Sequence, residues 1–593
     1  MKKQKNAGEK SSPGVIKTLA RSIREYKKPS ILAPIFVTLE VVFEVFIPLV
    51  MTWLLDRISK IGEGDLVGEI LKFGGILILL ALLSLFCGIM SGKYCAVASS
   101  GFAKNLRKDM FYKIQDFSFS NIDKFSASSL VTRLTTDVTN VQMSYMMIIR
   151  VAVRAPLMLV FSMVMAFSLN STMSLIFLAT TPILAIGLFF IMFKAIPFFH
   201  RIFKKYDALN ESVEENIRGM RVVKSYVRED YEKEKFGRAS SEVKNDFTKA
   251  EKLIALNTPL MNFCIYAGLI AMYIVGSLLI VKTNEQAMQL TELQSFMTYS
   301  FQMLMSLMML SMIMVMIIIS VASARRIAEV LNEKPSIVSG EDALKFVEDG
   351  SIDFENVCFK YSEKAEKDAL YGISLNIKSG ETVGIIGATG SSKTTLVQLI
   401  PRLYDTTGGT VKVGGKDVKE YDLETLRNSV AMVLQKNVLF SGTVRENMQW
   451  GNKDASDEEI QHALDLAQIG TVSLDKVIEQ GGVNASGGQK QRLCIARALL
   501  KKPKILILDD STSAVDTKTD ALIRKAFAEY IPETTKIIIA QRIASVQDAD
   551  KIIIMENGTI SAVGTHDSLL KENVIYRDLY FSQNKVAAEK EVM

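Results

Sequence analysis

Residues 382 to 396 read Thr-Val-Gly-Ile-Ile-Gly-Ala-Thr-Gly-Ser-Ser-Lys-Thr-Thr-Leu. A short apolar run breaks into a glycine-rich loop, and apolar residues then resume with helical spacing, which is typical of a phosphate-binding strand–loop–helix unit. Such a loop surrounds phosphate oxygens with backbone N–H groups, and the following helix N-terminus adds a positive field. The pattern predicts that Lys393 reaches the β- and γ-phosphates and that the Thr394 hydroxyl holds Mg²⁺.

One residue of this loop departs from the phosphate-binding pattern. The pattern has glycine immediately before the lysine, whereas this chain has Ser392. Serine adds a side chain where the backbone passes close to phosphate, so we expect an altered binding geometry that still binds. The alternative interpretation is a glycine-rich turn between a strand and a helix, with no ligand.

The composition divides the chain into two halves. With 593 residues the chain is too long for one core, and 49% of its residues are hydrophobic although 23% are charged. Before about Arg325 the apolar residues form long uncharged runs, and after it the sequence is that of an ordinary α/β domain. The net charge of +6 is spread out and does not favour a nucleic-acid partner, and the five cysteines show neither metal spacing nor a disulfide pattern.

Six stretches of the first half are long and apolar enough to cross a bilayer, which requires about 20 residues. The first span runs from about Ile31 to Leu55, and the second lies between Lys72 and Lys93. The third starts between Met143 and Arg154 and ends at a hairpin at Asn170, from which the fourth runs to Phe193. The fifth lies between Lys252 and Lys282, and the sixth between Glu292 and Arg325. Long, charged connections follow the second and fourth spans. The positive-inside rule places these connections and both termini in the cytoplasm, so we expect a multi-pass protein of the cell membrane.

Two groups of residues inside the spans are candidates for a substrate pathway. Glu40 and Glu44 lie one helical turn apart in the first span, and acidic residues at that depth usually face a cavity or a partner. Arg150 and Arg154 share a helix face near the start of the third span and could anchor it at the interface or pair with these acids. The sixth span is rich in methionine, which suits a surface that repacks around varied apolar ligands; the candidates there are Met305, Met309 and Met312. Solvation of the acids and ordinary packing of the methionines are the alternatives.

The second half adds further motifs in a fixed order. They are Tyr361, Gln435 in Val-Leu-Gln-Lys-Asn, Ala485-Ser-Gly-Gly-Gln489, Asp509-Asp510 after Ile-Leu-Ile-Leu, and Gln541 after Ile-Ile-Ile-Ala. In this order the motifs closely resemble the nucleotide-binding domain of ABC transporters. With six preceding spans, the chain from about Arg21 to Leu579 resembles an ABC exporter half-transporter.

The resemblance implies a role for each motif. Tyr361 resembles the residue that stacks on adenine, Gln435 the residue that touches Mg²⁺, and Asp509 the carboxylate that holds Mg²⁺ through water. The stretch Ala485–Gln489 resembles the family's signature motif. The resemblance implies that its residues Ser486, Gly487 and Gly488 clamp the γ-phosphate of ATP bound to the opposite subunit, so that the working unit is a dimer. The residues implied to bind ATP are Tyr361, Gly387, Thr389, Gly390, Ser391, Ser392, Lys393, Thr394, Thr395, Gln435, Ser486, Gly487, Gly488 and Gln489. Those implied to hold Mg²⁺ are Thr394, Gln435 and Asp509. Those implied to take part in catalysis are Asp510, Gln541 and Gln435.

Two catalytic positions depart from the family pattern. In the family, the aspartate that ends the buried strand (the Walker B aspartate, here Asp509) is normally followed by glutamate, which acts as the general base. In this chain the following residue is Asp510. The family also has a histidine at the switch position, which in this chain is Gln541. The shorter side chain withdraws the carboxylate by roughly an ångström, and a misplacement of that size costs about a hundredfold in rate. We therefore expect a slow ATP site in this chain and a heterodimer with a second ABC half-transporter that exports amphipathic small molecules. The alternatives are a homodimeric exporter of lipid or peptide and a non-transporting ABC protein gated by ATP.

The predicted fold is an all-α membrane domain of six transmembrane helices with long cytoplasmic extensions, followed by an α/β P-loop nucleotide-binding domain. The predicted parts are a cytosolic N-terminal segment (1–29), the transmembrane domain (30–326), a linker (327–350), the nucleotide-binding domain (351–582) and a C-terminal tail (583–593). The expected cofactors are ATP and Mg²⁺, and membrane lipid surrounds the first domain.

Overall fold

The computed structural model describes residues 12–60, 66–283, 288–362, 365–511 and 513–591. The chain forms two compact units. The first, here called the helical unit, ends at Glu333 and lacks residues 116–125. The second, here called the α/β unit, contains Asp116–Phe125 together with the chain from Lys334 onward.

The first 333 residues are helical wherever the structure describes regular elements. Helices α1 to α11 lie at Ser12–Ala20, Lys27–Lys60, Leu66–Gln115, Phe119–Phe125, Ala127–Thr132, Val138–Leu169, Ser171–Arg218, Met220–Ser225, Glu229–Ile254, Asn257–Thr283 and Leu290–Asn332. Six helical stretches are long and apolar enough to span a membrane. The predicted all-α membrane domain with six spans is therefore confirmed.

Several spanning helices extend far beyond their apolar runs. Helix α3 continues through a basic stretch to Gln115, and α7 continues to Arg218. The predicted hairpin between the third and fourth spans is a single residue, Asn170, whose side chain accepts hydrogen bonds from the backbone N–H groups of Thr172 and Met173 at 3.1 Å. This N-cap starts α7 immediately after α6 ends, because the Asn170 backbone is extended and breaks the helix.

Two helices continue past predicted domain boundaries. The linker was expected to start at 327, but α11 continues to Asn332 because Ile327, Ala328 and Val330 are buried at helical spacing. The C-terminal tail was expected from 583, but α19 continues to Glu591. The stretch of alanine, lysine and glutamate there contains no glycine or proline that would end a helix.

The α/β unit contains twelve described strands. Strands β1 to β12 lie at Ile352–Phe359, Leu370–Ile377, Thr382–Gly387, Gly408–Val413, Lys416–Asp417, Val430–Val433, Gly442–Thr443, Val477–Ile478, Ile505–Asp509, Thr535–Ile539, Lys551–Glu556 and Thr559–Gly564. Six of them form the main sheet in the order β12-β11-β3-β10-β9-β6, in which the β11–β12 pair is antiparallel and the other pairs are parallel. A second, antiparallel sheet has the order β2-β1-β4-β5, and β7 pairs with β8. Helices α12 to α19 lie at Lys393–Gln398, Leu423–Ser429, Val444–Gln449, Asp457–Leu466, Gly487–Leu500, Thr517–Tyr530, His566–Glu572 and Val574–Glu591.

The central sheet is buried on both faces. Along β9, Ile505 and Ile507 belong to one hydrophobic cluster, whereas Leu506 and Leu508 belong to another, as the alternation of side chains in a strand requires. Ile539 of β10 is paired in register with Asp509 of β9 and with Ile385 of β3. The ends of three parallel strands therefore meet at one edge of the sheet, and the functional residues follow them there.

Candidate nucleotide-binding site

The loop between β3 and α12 has the shape that its sequence predicts. The Lys393 ammonium donates hydrogen bonds of 2.8 Å to the carbonyl oxygens of Gly387 and Ala388, and one of 3.3 Å to the Ser391 hydroxyl. A Cβ atom on Gly387 would lie 2.2 Å from the Met555 carbonyl oxygen, so only glycine fits at this position. These bonds fold the lysine back over its own loop, where a phosphate could take the place of the carbonyl partners.

Ser392 has a left-handed backbone conformation, with φ +66° and ψ +26°. Glycine adopts this conformation without strain, whereas a residue with a Cβ atom is disfavoured in it. The Ser392 side chain makes no capping hydrogen bond to α12. The departure from the sequence pattern therefore strains the backbone but leaves the loop formed.

The predicted magnesium ligands lie together. The Thr394 hydroxyl lies 3.0 and 2.9 Å from the two carboxylate oxygens of Asp509. Asp509 is buried at the end of β9, and this burial raises the pKa of its carboxyl above the usual value. Burial also lowers the pKa of the Lys393 ammonium. Hydroxyl and carboxylate oxygens are the donors that Mg²⁺ prefers, and the phosphate oxygens of a nucleotide supply further ligands.

Asp510 and Gln541 contact each other directly. The Gln541 side-chain amide donates a 2.9 Å hydrogen bond to Oδ2 of Asp510, and Gln435 donates a second hydrogen bond to this carboxylate. Burial nevertheless raises the pKa of Asp510 above its usual value, because it outweighs these two bonds. The Asp510 backbone is left-handed, with φ +49°. The carboxylate is thus held by two neutral amides.

A cavity of about 290 Å³ unites most of the predicted site. Its lining residues are Thr389, Gly390, Ser392, Lys393, Thr394, Thr395, Gln435, Asp509, Asp510, Ile539 and Gln541. Ile539 at the end of β10 also lines the cavity, although it belongs to none of the predicted site residues. Its position at the end of an apolar strand beside Gln541 was the available signal.

Tyr361 lies beside the phosphate-binding loop, with its ring half exposed. Its hydroxyl lies 2.8 Å from the Thr395 hydroxyl, and its ring packs edge-on against Phe359 and Tyr404, with centroid distances of 4.8 and 5.3 Å. An exposed ring face on a fixed support can stack on a planar base. Tyr404 was missed by the sequence analysis, because no motif includes it.

The signature residues form the start of another helix. Ser486 caps α16: its hydroxyl accepts from the Gln489 N–H at 3.3 Å, and the Gln489 side chain accepts from the Ser486 N–H at 3.1 Å. Gly487 and Gly488 form the first turn. Among the described residues, none of these four lines the cavity above.

In the helical unit, the two acidic residues of the first span are paired with Arg154. Its guanidinium binds Glu44 with hydrogen bonds of 2.9 and 2.7 Å and also binds Glu40. Glu40 is 7% exposed and lies against Gly88 of α3. The sequence left the pairing of the arginine open, and the packing of α6 on α2 decides it. Of the methionines, Met305, Met309 and Met312 are 42%, 37% and 63% exposed within this single chain.

Comparison with known proteins identifies both units. The family of ABC transporter transmembrane regions matches residues 30–307, and the ABC transporter family matches residues 370–513. The uncharacterized ABC transporter ATP-binding protein YfiB of Bacillus subtilis is 36% identical, over 95% of this chain and 97% of the relative. The uncharacterized ABC transporter ATP-binding protein Rv1273c of Mycobacterium tuberculosis is 33% identical, over 95% of this chain and 98% of the relative.

A solved structure shares the fold of the whole chain. It is that of a bacterial Atm1-family ABC exporter with ATP bound, with a TM-score of 0.79, 20% sequence identity, and coverage of 94% of this chain and 98% of the other. The resemblance inferred from the motifs is thereby confirmed. The chain belongs to the ABC transporter family, whose ATPase domain couples ATP hydrolysis to transport, and it has the fold of an exporter half-transporter.

Proposed function

We propose that this chain is one half of a heterodimeric ABC exporter that moves small amphipathic molecules out of the cell. In this proposal the chain carries a slow ATP site and donates its signature residues to a competent site on the partner. The single observation that carries the proposal is the hydrogen-bonded pair of Asp510 and Gln541 at the place of the general base and the switch histidine.

The pair is poorly suited to activate water. A general base must reach the proton that it removes, and Asp510 is one methylene shorter than glutamate. Its Oδ2 accepts a hydrogen bond from Gln541, which competes with an attacking water for the same oxygen. Gln541 is neutral at every pH and supplies no titratable group in the switch position.

ATP binding itself has support from the geometry. We assign the phosphates to Lys393 and the backbone of its loop, and Mg²⁺ to Thr394 and Asp509, with Gln435 at the edge of the cavity. We assign the adenine to the exposed face of Tyr361. Mg²⁺ held by Thr394 and Asp509 would supply positive charge that neutralises the phosphate groups.

The signature residues are ready to act on a partner's nucleotide. The reciprocal bonds of Ser486 and Gln489 fix the start of α16 without a ligand. A helix start of this kind presents free backbone N–H groups and the positive end of the helix dipole to an anion. We propose that Ser486, Gly487 and Gly488 contact the γ-phosphate of ATP bound to the partner.

The substrate is proposed from the helical unit. Glu40, Glu44 and Arg154 together carry a formal net charge of −1. The exposed methionines Met305 and Met312 offer a deformable apolar surface. These features support a small amphipathic substrate, and the topology that we propose places both termini in the cytoplasm with a cell-membrane location.

The test is ATP hydrolysis by the purified chain in lipid, alone and co-expressed with the product of the adjacent gene if that gene encodes a second half-transporter. Activity that requires the neighbour, together with ATP binding by the chain alone, is the expected result. Full activity of the chain alone would replace the heterodimer with a homodimer in which Asp510 is a working base. A chain carrying Lys393→Ala, which loses the phosphate contact, is the control for binding.

A further inference from the structure

The backbone of the switch loop, defined here as Gln541–Ile543, is held by a side chain from the C-terminal helix α19. The Gln583 amide NH₂ donates a 2.9 Å hydrogen bond to the carbonyl oxygen of Gln541, and its carbonyl oxygen accepts a 2.9 Å hydrogen bond from the N–H of Ile543. One side chain therefore pairs with the backbone on both sides of Arg542. Gln583 belongs to none of the sequence motifs and lies at the first position of the predicted C-terminal tail.

These two bonds support the chain just where it leaves the central sheet. Strand β10 ends at Ile539, and the Ala540 N–H still bonds the carbonyl oxygen of Ile385 in β3 at 3.3 Å. In the switch loop that follows, the backbone takes its partner from Gln583 instead of a strand. The primary amide of glutamine carries both a donor and an acceptor, as a peptide group does, so it can replace one.

The pairing depends on the chemistry of the glutamine side chain. A flipped amide would place its oxygen against the Gln541 carbonyl oxygen and its NH₂ against the Ile543 N–H, so only one orientation makes both bonds. An ionised glutamate offers acceptors alone and would lose the bond to Gln541. Both groups of the amide are therefore used to hold the loop.

Helix α19 is anchored by contacts that do not involve Gln583. Tyr576 is 1% exposed and packs in the hydrophobic cluster that also contains Ile543. Its hydroxyl lies 2.7 Å from Nδ1 of His566, and its N–H donates to the Asn573 side chain at 2.9 Å. The helix thus stays in place when the Gln583 amide is removed, and the two bonds of Gln583 act on the loop.

The switch loop has a second, weaker attachment through the Arg542 side chain. Its guanidinium donates to the carbonyl oxygens of Ser513 and Val515, both at 3.4 Å. These distances exceed the usual range of an N–H···O hydrogen bond, whereas the two bonds to Gln583 lie within it. Gln583 therefore holds the loop more firmly than Arg542 does.

The loop in turn directs the Gln541 side chain into the nucleotide site. This side chain donates a 2.9 Å hydrogen bond to Oδ2 of Asp510 and lines the same cavity as Lys393 and Thr394. A glutamine amide has two N–H donors, and the bond to Asp510 uses one of them. The second is available to an oxygen of the terminal phosphate when a nucleoside triphosphate occupies the cavity.

We propose that Gln583 is a positioning residue, which fixes the backbone of the switch loop so that the Gln541 amide reaches both Asp510 and the terminal phosphate. This inference rests on the proposed ATP site. It makes the C-terminal helix, which contains none of the motifs, part of the recognition of a third phosphate. A nucleoside diphosphate lacks that phosphate and gains nothing from the contact.

The test compares the affinities of the chain for two nucleotides that differ in the terminal phosphate. The full chain in lipid nanodiscs is titrated with the Mg²⁺ complex of the β,γ-imido analogue of ATP, which resists hydrolysis, and separately with Mg²⁺–ADP. Gln583→Ala should weaken binding of the analogue by about fivefold, the size of effect that one hydrogen bond brings, and change the ADP affinity by less than about twofold. A purely structural role would weaken both affinities by the same factor and would overturn the proposal.

A double variant shows whether Gln583 acts through Gln541. Gln541→Ala should also weaken binding of the analogue by about fivefold, and adding Gln583→Ala to it should cost nothing more. Independent contributions would multiply to about 25-fold and would contradict positioning. Gln583→Glu retains the acceptor for the Ile543 N–H, so its affinity for the analogue should lie between those of the wild type and Gln583→Ala. Ser582→Ala, at the neighbouring exposed position of α19, is the matched control and should change neither affinity.

The outcomes also separate this inference from the proposed function. If Gln541→Ala keeps the wild-type preference for the analogue, or if Gln583→Ala binds both nucleotides as the wild type does, the inference fails and the proposed ATP site stands. If the wild type binds neither nucleotide, the ATP site and the inference fail together. All the contacts involved lie within one chain, so the measurement does not require a partner subunit.

Discussion

The replacement of Asp510 by asparagine tests the slow site most directly. Asparagine has nearly the same shape and can still accept the hydrogen bond from Gln541, so the change removes the negative charge and little else. If Asp510 is a poor general base, its loss affects a step that is already slow. We therefore expect the assembled heterodimer to retain nearly all of its steady-state ATP turnover.

The magnitude follows from the position of the carboxylate. A displacement of roughly an ångström from the position of a glutamate carboxylate costs about a hundredfold in rate. That factor corresponds to about 2.7 kcal/mol in the activation barrier. A site that turns over about a hundredfold more slowly than its neighbour contributes about 1% of the total, so the asparagine variant should lose no more than a few per cent.

The assay is phosphate release by the co-expressed complex in lipid at saturating Mg²⁺–ATP. The matched control is the same carboxylate-to-amide change at the equivalent position of the partner, which should abolish turnover because the competent base is lost. Binding of ATP to each variant is measured in parallel, so that a loss of occupancy is not mistaken for a loss of chemistry.

A large loss of turnover in the Asp510→Asn complex would refute the reasoning. If the variant retained less than about a tenth of the wild-type rate, Asp510 would be a working base despite its short side chain. The hydrogen bond from Gln541 would then have to orient the carboxylate rather than compete with water for it.

Three further predictions concern the loop, the metal ligand and the membrane cluster. Ser392→Gly should raise the free energy of unfolding of the α/β unit by about 1 kcal/mol, because glycine relieves the strain of the left-handed backbone. Thermal unfolding measures this change, and the control Ser392→Ala, which keeps a Cβ atom, should show no increase in stability. The raised pKa of Asp509 means that its carboxylate takes up a proton at a higher pH than an ordinary aspartate does, so the Mg²⁺ dependence of ATP binding should weaken as the pH is lowered, and this weakening should be missing in Asp509→Asn. Arg154→Ala should destabilise the protein in detergent by about 3 kcal/mol, because it leaves two carboxylates without their partner, and Arg154→Lys should cost less; equal melting temperatures for the two variants would contradict the pairing.

The sequence was sufficient for the features that depend on local patterns. Uncharged runs of membrane-spanning length predict the six spans, and the glycine-rich loop with Lys393 predicts the phosphate-binding site, because each signal lies within one stretch of chain. The same reasoning placed Asp509 at the end of a buried strand. Helices α11 and α19 continue past the predicted boundaries through polar residues, which hydropathy does not distinguish from a linker.

The remaining features depend on which elements pack together. The sequence placed Arg154 near the acidic residues as one of two alternatives, and only the contact of α2 with α6 shows that it binds Glu40 and Glu44. The bond between Asp510 and Gln541 joins residues 31 positions apart that follow the ends of the neighbouring strands β9 and β10. Tyr404 and the segment Asp116–Phe125 carry no motif, so no local signal predicts the hydrogen bond from the Tyr404 hydroxyl to the Asp123 carboxylate.

The segment Asp116–Phe125, which belongs to the α/β unit, also affects the order in which the protein can be assembled. Asp123 precedes its partner Tyr404 by 281 residues, so a ribosome adding about 5 to 20 residues per second makes the segment roughly 15 to 55 s before that partner exists. During this interval Phe119 also lacks the Tyr404 ring against which it packs. These contacts can therefore form only after synthesis has passed Tyr404, and slow elongation prolongs the time that residues 116–125 spend without them.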